Sequence, residues 1–120
     1  MESKTKRASH FLPLRPLDFQ VLTILAGRQL HGYGIVQAAQ EQFPEQPSLE
    51  IGSLYRIVSR MLVDGLIREI PPLETIPKDR RVRRYYTATE LGVHVIRAEA
   101  KRLRALLASP ATVDVLGSDP

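Results

Sequence analysis

The sequence predicts a mainly α-helical fold with one small β-hairpin, and three observations lead to this class. Apolar residues recur at helical spacing in four segments. Two short segments between the third and the fourth of these are instead rich in β-favouring residues. The chain has 120 residues, 43% of them apolar and 25% charged, which suits one folded core and excludes a wholly disordered chain. We therefore expect the order helix, helix, helix, hairpin, helix.

Local signals set the ends of the predicted helices. Pro16 suits a first helical turn, Gly65 suits the position just after a helix, and Thr89 suits an N-cap. The predicted helices run from Pro16 to Gly27, from about Gly32 to Phe43, from the cap Ser48 to Val63 or Asp64, and from about Glu90 to Ala108.

The hairpin and the chain ends complete the expected organisation. Residues 66–70 and 83–88 are strand-like, and they would pair around a long tip that contains several prolines. The expected units are a mobile basic arm over residues 1–12, a domain of three helices and the hairpin over 13–89, a C-terminal helix over 90–108 and a flexible tail over 109–120.

The third helix separates apolar from basic residues more sharply than an ordinary surface helix does. Its apolar flank is predicted to contain Ile51, Leu54, Tyr55, Ile57, Val58, Met61 and Leu62. The opposite flank has Ser53, Arg56, Ser59 and Arg60, with no carboxylate before Asp64. Arginine can bind guanine through two hydrogen bonds, whereas serine and a helix N-terminus suit phosphate. A basic face that only meets solvent remains the alternative interpretation.

Charge in the hairpin supports the nucleic-acid interpretation. Five of the seven residues from Lys78 to Arg84 are basic, although such a run can also be a solvated surface. Three helices followed by a basic hairpin match a winged helix-turn-helix, whose third helix enters the major groove of DNA. The candidate DNA-binding residues are Tyr33, Ser48, Ser53, Tyr55, Arg56, Ser59, Arg60, Arg80, Arg81, Arg83 and Arg84. The two tyrosines can also pack the second helix against the third.

The last helix has two apolar stripes about 100° apart. A helix that packs only within its own monomer needs one such stripe, so the second favours a C2 homodimer. One wide stripe folded onto the same monomer is the alternative. The residues expected at the dimer contact are Val95, Ile96, Leu103, Leu106 and Leu107.

Several other functions have no support in the sequence. There is no cysteine, the three histidines have no metal-ligand spacing, and no cofactor is expected. We find no phosphate-binding loop, nucleophile elbow or paired carboxylates, so an enzyme is not expected. No apolar run is long enough to span a membrane and no secretory signal is recognisable, which predicts a cytoplasmic protein. A winged-helix module that binds an acidic protein remains the alternative function.

Several short motifs resemble the PadR family of bacterial transcriptional regulators. They occur in the family's order and cover about residues 14–100: His31-Gly32-Tyr33-Gly34-Ile35, Gly52-Ser53-Leu54-Tyr55, Asp64-Gly65-Leu66-Ile67, Arg84-Tyr85-Tyr86 and Thr89-Glu90-Leu91-Gly92. The resemblance implies a dimeric winged-helix repressor whose C-terminal helix forms the dimer. It also implies release from DNA by a small effector, commonly aromatic or phenolic.

The sequence departs from the family pattern at four places. Arg56 stands where the family usually has proline, which adds a donor on the DNA-facing flank. The hairpin tip is longer than usual and contains prolines in place of glycines, and Ala88 replaces a leucine. Tryptophan, which some relatives place beneath flat drugs, does not occur in this chain. The operator and the effector of relatives therefore cannot be transferred to this protein.

Overall fold

The computed structural model describes residues 4–71 and 83–117, and the predicted fold class is confirmed within them. Mainly helical structure surrounds a small antiparallel sheet. The helices are α1 (Lys4–Ser9), α2 (Pro16–Leu25), α3 (Gly32–Gln42), α4 (Ile51–Asp64), α5 (Glu90–Leu107) and α6 (Pro110–Gly117). The strands are β1 (Leu30–His31), β2 (Ile67–Ile70) and β3 (Tyr85–Ala88).

The sheet has the order β1-β3-β2, and both pairings are antiparallel. The predicted hairpin is β2–β3, with Ile67 opposite Ala88 and Ile70 opposite Tyr85. Its strands, which we call the wing, are joined by residues outside the described ranges. The sequence did not predict β1, because a strand of two residues has no readable alternation. Leu30 of β1 lies opposite Tyr86 and gives β3 a second neighbour.

One apolar core joins α2, α3, α4, α5 and the wing. Val21, Leu22 and Leu25 of α2 are fully buried at its centre. The other fully buried members include Ile35, Leu54 and Val95 from the surrounding helices. Thr87 of β3 donates a hydrogen bond to the Leu25 carbonyl at 3.3 Å, which ties the wing to the end of α2. The core therefore fixes the wing relative to the helices.

The end of α4 and the start of α5 are tied to each other. Gly65 ends α4 with a φ of 77°, a left-handed conformation that glycine adopts at little cost. Thr89 caps α5 by accepting a hydrogen bond from the Gly92 amide at 3.1 Å, and its hydroxyl donates to the Gly65 carbonyl at 2.6 Å. A Cβ on Gly92 would lie 2.0 Å from the Leu66 carbonyl oxygen. Only glycine allows this approach of the two chain segments.

Both chain ends contain helices where the sequence led us to expect loose segments. The expected arm over residues 1–12 contains α1, which packs against α5 and buries Ala8. The expected tail contains α6, which begins with Ser109 as its cap and Pro110 in its first turn. The sequence did not predict α1 and α6 because both are short, and short helices depend on packing against neighbouring structure.

The expected cap of α4 is also wrong. We predicted that Ser48 would cap this helix, but α4 begins at Ile51 and its cap position is Glu50, which makes no side-chain capping hydrogen bond. The Leu54 amide instead donates to the Glu50 carbonyl at 2.8 Å. Leu49, between the expected cap and the observed one, is buried in the core.

The five residues assigned to a dimer contact divide into two groups. Val95 and Ile96 are buried in the core of the single chain, so their assignment to the dimer contact is wrong. The alternative interpretation, in which one wide apolar stripe packs within the same monomer, is correct for these two residues. Helix α5 packs on α1 and α2 as well as on β3. Leu103 is half-buried, whereas Leu106 and Leu107 are 52% and 59% exposed.

Glu99 of α5 is a buried carboxylate that binds the segment before α2. It is 1% exposed, and one of its oxygens accepts the Leu14 amide hydrogen at 2.6 Å. Arg102, one turn further along α5, donates to both carboxylate oxygens. These hydrogen bonds, led by that from Arg102, hold the pKa of Glu99 below its ordinary value of 4.5 despite burial. The ionised carboxylate therefore fastens the entry of α2 to α5.

We expect Glu99→Gln to destabilise the protein by about 1–3 kcal/mol at neutral pH, because the amide cannot accept all three hydrogen bonds. The lowered pKa means that the carboxylate's contribution is complete above pH 4.5 and disappears as the pH falls through the folded-state value. Urea unfolding at several pH values should show the difference from the parent protein shrinking in acid. The exposed Glu45→Gln is the control, and a difference independent of pH would contradict this account.

Candidate nucleic-acid interface

Helix α4 is held in the core by a narrow apolar flank. Leu54, Ile57, Val58 and Met61 are buried against the other elements. Ile51, Tyr55 and Leu62, which the sequence placed on the same flank, are exposed at its edges. They lie outside the width that α2, α3 and β2 cover. The remaining surface of α4 is therefore wider than predicted and includes apolar as well as basic groups.

The predicted polar flank of α4 faces outward. Arg56, Ser59 and Arg60 are exposed, and Ser53 is half-buried. The Arg56 guanidinium donates to the Ser53 hydroxyl at 3.3 Å, a contact with an uncharged acceptor on the surface. Serine side chains on either side of the arginines are short, so another molecule can approach the helix backbone closely. This flank can supply hydrogen-bond donors to an acceptor-rich surface.

Arg60 has a partner that the sequence did not reveal. Its guanidinium donates to a carboxylate oxygen of Asp18 in the first turn of α2, at 2.6 Å. The Arg60 side chain is 43% exposed and the Asp18 side chain 13% exposed. The two residues are separated by 42 positions, so no local spacing could have predicted the pair. Asp18 therefore belongs to the candidate site although it was not predicted.

The segment that leads into β3 brings basic residues toward α4. Arg83 and Arg84 are exposed where the chain enters β3. Arg84 forms an exposed ion pair with Glu69 of β2 at 3.3 Å, which crosses the two strands. Arg80 and Arg81, also predicted as contacts, lie outside the described residues. The described residues at the start of β3 therefore contribute Arg84, with a carboxylate neighbour, and the exposed Arg83. Arg68 of β2 is a further exposed basic residue of the wing.

A groove of about 540 Å³ separates α4 from the wing and the start of α3. Hydroxyl, imidazole and guanidinium groups line it, from His31, Tyr33, Tyr55, Ser59, Arg83, Arg84 and Tyr86 among others. Burial, followed by the nearby Glu69 carboxylate, raises the pKa of the Tyr86 phenol, so this group remains protonated at neutral pH. The groove can thus offer both hydrogen-bond donors and positive charge.

Tyr33 and Tyr55, two of the three tyrosines that line the groove, differ in their packing. The ring of Tyr55 lies over the first turn of α3. It is so close to Gly32 that a Cβ at that position would be 2.9 Å from the Tyr55 hydroxyl oxygen. Tyr33 is 62% exposed beside it. His31 caps α3 by accepting the Gly34 amide hydrogen at its Nδ1, at 3.1 Å, as a packing and hydrogen-bonding residue should. Ser48 is exposed in the loop before α4.

A second cleft, of about 610 Å³, lies on the other side of α4. Arg15, Ser53, Arg56 and Arg60 line it together with residues of the first turn of α2. Arg15 was not among the predicted contacts. It directly precedes Pro16, the first residue of α2. Its position beside α4 results from the packing of the two helices, which local sequence does not show. Three guanidinium groups therefore converge at one end of the candidate interface.

Within residues 4–71 and 83–117 no set of three or more histidine, aspartate or glutamate side chains is arranged to hold a metal ion. In the same ranges no helix has the length and apolar character needed to cross a membrane.

Comparisons with known proteins identify the family. The description "Transcriptional regulator PadR-like family" belongs to the family model that matches residues 21–98. A PadR-like transcriptional regulator from Bacillus cereus has a similar structure, with a TM-score of 0.65, 21% identity, and coverage of 87% of this chain and 93% of that chain. A PadR family regulator from Clostridium difficile gives a TM-score of 0.60 and 24% identity, over 75% of this chain and 88% of its own.

One similar structure contains DNA. It is PadR from Bacillus subtilis in complex with operator DNA, with a TM-score of 0.58 and 21% identity over 70% of this chain and 47% of that chain. A comparison with curated protein sequences gives no match. The family match covers well over half of the sequence and spans the helix-turn-helix, the wing and the first half of α5. The chain therefore belongs to the PadR-like family of transcriptional regulators.

Proposed function

We propose that this protein binds a specific duplex DNA sequence and represses transcription from it. The single observation behind the proposal is the outward flank of α4, where Arg56 and Arg60 face solvent and no carboxylate occurs from Ile51 to Val63. Arginines on an exposed helix are the commonest donors to guanine in the major groove. The solved complex of the similar Bacillus subtilis protein with operator DNA supports a duplex as the partner.

The proposed docking inserts α4 into the major groove. Arg56 and Arg60 would contact base edges, while Ser53, Ser59 and Ser48 would contact the backbone. The groove beside α4 would receive the adjacent phosphates through Tyr33, Tyr55 and Arg83. The other predicted contacts before β3, Arg80, Arg81 and Arg84, would follow the backbone from there. Arg15 in the second cleft extends the same charge toward α2.

Arg56→Ala should lower affinity for the preferred duplex by about 1–3 kcal/mol and leave affinity for unrelated DNA nearly unchanged, because the lost contact reads a base. Selection of bound fragments from random duplex DNA would first supply the preferred sequence. Binding of that duplex and of a scrambled one, followed by fluorescence anisotropy, then measures the two affinities. Circular dichroism should show that the variant remains folded.

Arg83→Ala provides the matched control, since it removes the same charge from the wing. It should weaken binding to all duplexes alike and reduce the slope of log affinity against log salt by about one unit. Equal losses on preferred and scrambled DNA for Arg56→Ala would contradict the docking. Failure of the parent protein to enrich any sequence would favour the alternative, a winged-helix module that binds an acidic protein.

We also propose that the protein acts as a homodimer through the exposed end of α5 together with α6. Leu106 and Leu107 are more than half exposed, and the neighbouring helix adds the exposed side chains of Val113, Val115 and Leu116. Large apolar side chains exposed on two neighbouring helices support a contact between copies of the chain. Two-fold pairing would place two copies of α4 about 34–36 Å apart, one turn of DNA.

Leu106→Asp combined with Leu107→Asp should convert the dimer to a monomer, because two carboxylates would be buried at the contact. Sedimentation velocity measures the change directly. Ala105→Asp is the control, since this exposed residue lies on the opposite side of α5 from Leu103 and Leu107. A parent protein that sediments as a monomer, or a double variant that remains dimeric, would refute this contact.

The proposal includes release from DNA by a small aromatic or phenolic effector, which rests on family membership. Such a molecule shifts the equilibrium only if it binds the DNA-incompetent form more tightly. An effector present at 100 times its dissociation constant should stabilise the protein by about 2.7 kcal/mol and raise its melting temperature. Screening phenolic acids and planar drugs by thermal shift, then testing release of the selected duplex, examines this step. The absence of both effects for every compound would contradict it.

A further inference from the structure

An ion pair between Asp18 and Arg60 links the outward flank of α4 to another helix through charged groups. Asp18 lies in the first turn of α2, where a carboxylate also suits the positive end of the helix dipole. Its side chain is largely buried, whereas the arginine remains 43% exposed. We propose that Asp18 is a positioning residue for DNA recognition, which fixes the Arg60 guanidinium and thereby increases sequence selectivity.

This inference rests on the proposed DNA-binding function. An arginine side chain on a surface samples many rotamers, and ordering it on binding costs free energy. A guanidinium already held at one nitrogen is restricted before DNA arrives. Because the group has five N–H donors in a rigid plane, one bond to Asp18 leaves others to face an acceptor. A restricted donor binds a correctly placed base acceptor with higher affinity, and a displaced acceptor with lower affinity, than a freely moving donor does.

The position of Asp18 is itself well fixed. One turn before it, the Leu14 amide is bound by the buried Glu99 carboxylate at 2.6 Å, and Pro16 restricts the backbone at the start of α2. The carboxylate therefore belongs to a segment anchored on α5. Because this backbone segment is held in place, the Asp18 carboxylate restricts where the longer Arg60 side chain lies.

Arg56 offers an internal comparison one turn earlier on the same flank. Its partner is the Ser53 hydroxyl at 3.3 Å, a longer contact whose acceptor carries no charge. The Asp18 carboxylate adds an attraction between opposite charges that a hydroxyl cannot supply. The two arginines should thus behave differently, with Arg60 held in place and Arg56 free to adapt. Both line the second cleft, so both can reach the same bound molecule.

The experiment compares binding of the duplex selected by the parent protein with binding of a scrambled duplex. Asp18→Ala should lower the ratio of the two affinities by about tenfold, through weaker binding of the selected duplex. Asp18→Asn, which keeps the shape and one acceptor, should lose less. In a protein that already has Arg60→Ala, the Asp18 substitution should have no further effect on the ratio. Asp64→Asn removes the same charge from the end of α4 and should leave the ratio unchanged.

A second measurement does not require DNA. In the free protein, nuclear magnetic relaxation of the arginine Nε–H groups should report a more ordered side chain for Arg60 than for Arg56, and Asp18→Ala should remove this difference. Circular dichroism and urea unfolding check that each variant is folded, since loss of Asp18 also weakens the first turn of α2.

The possible results separate the inference from the function beneath it. A parent protein that discriminates between duplexes while Asp18→Ala discriminates equally well overturns the positioning role and leaves DNA recognition intact. The same conclusion follows if Asp18→Ala lowers the ratio by an equal factor without Arg60, or if Arg60 is as mobile as Arg56 in the free parent protein. A parent protein that discriminates between no duplexes overturns the proposed function, and the inference fails with it.

Discussion

The rotational setting of α4 about its own axis is the constraint on which the remaining arrangement depends. Leu54, Ile57, Val58 and Met61 occupy one narrow flank and are all buried. Turning the helix by a quarter would expose these side chains and bring guanidinium groups into the core, at a cost of several kcal/mol. The burial of four apolar groups therefore determines which residues face outward. Any function of the outward flank is a consequence of this packing.

A second constraint connects the wing with the helices. The close approach of Gly92 to the Leu66 carbonyl and the two hydrogen bonds of Thr89 place the start of α5 directly against the end of α4. The wing strands begin and end at this junction. Consequently the base of the wing, α4 and α5 share one rigid connection, and the Glu99 hydrogen bonds extend that connection to the entry of α2. The wing, α5 and the entry of α2 thus together determine the position of the candidate interface.

Local signals in the sequence were sufficient for much of the fold. Proline at the start of α2, glycine after α4 and threonine before α5 act through their own backbones, and each has the predicted role. Helices α1 and α6 and the strand β1 were missed because they are short and depend on what lies beside them. Ser48 was expected to cap α4 because serine favours that position, whereas the helix begins after Glu50 without a side-chain cap.

The candidate site was predictable only in part, and the reason is geometric. Helical spacing correctly placed Arg56, Ser59 and Arg60 on an exposed flank. It could not reveal Asp18 or Arg15, because contacts between distant segments leave no periodic signal. The same limit affected α5, where two apolar stripes were divided between monomer and dimer although Val95 and Ile96 serve the monomer core. A pattern indicates that a surface is buried, but not which molecule buries it.

His31 has a consequence for how the protein can deform. It is the last residue of β1, opposite Tyr85 with the two rings edge to face at 5.4 Å, and it is also the cap of α3. No linker residue separates the sheet from the helix. A displacement of the start of β3 would therefore be transmitted directly to the first turn of α3, through the contacts that the imidazole makes with Tyr85 and the Gly34 amide.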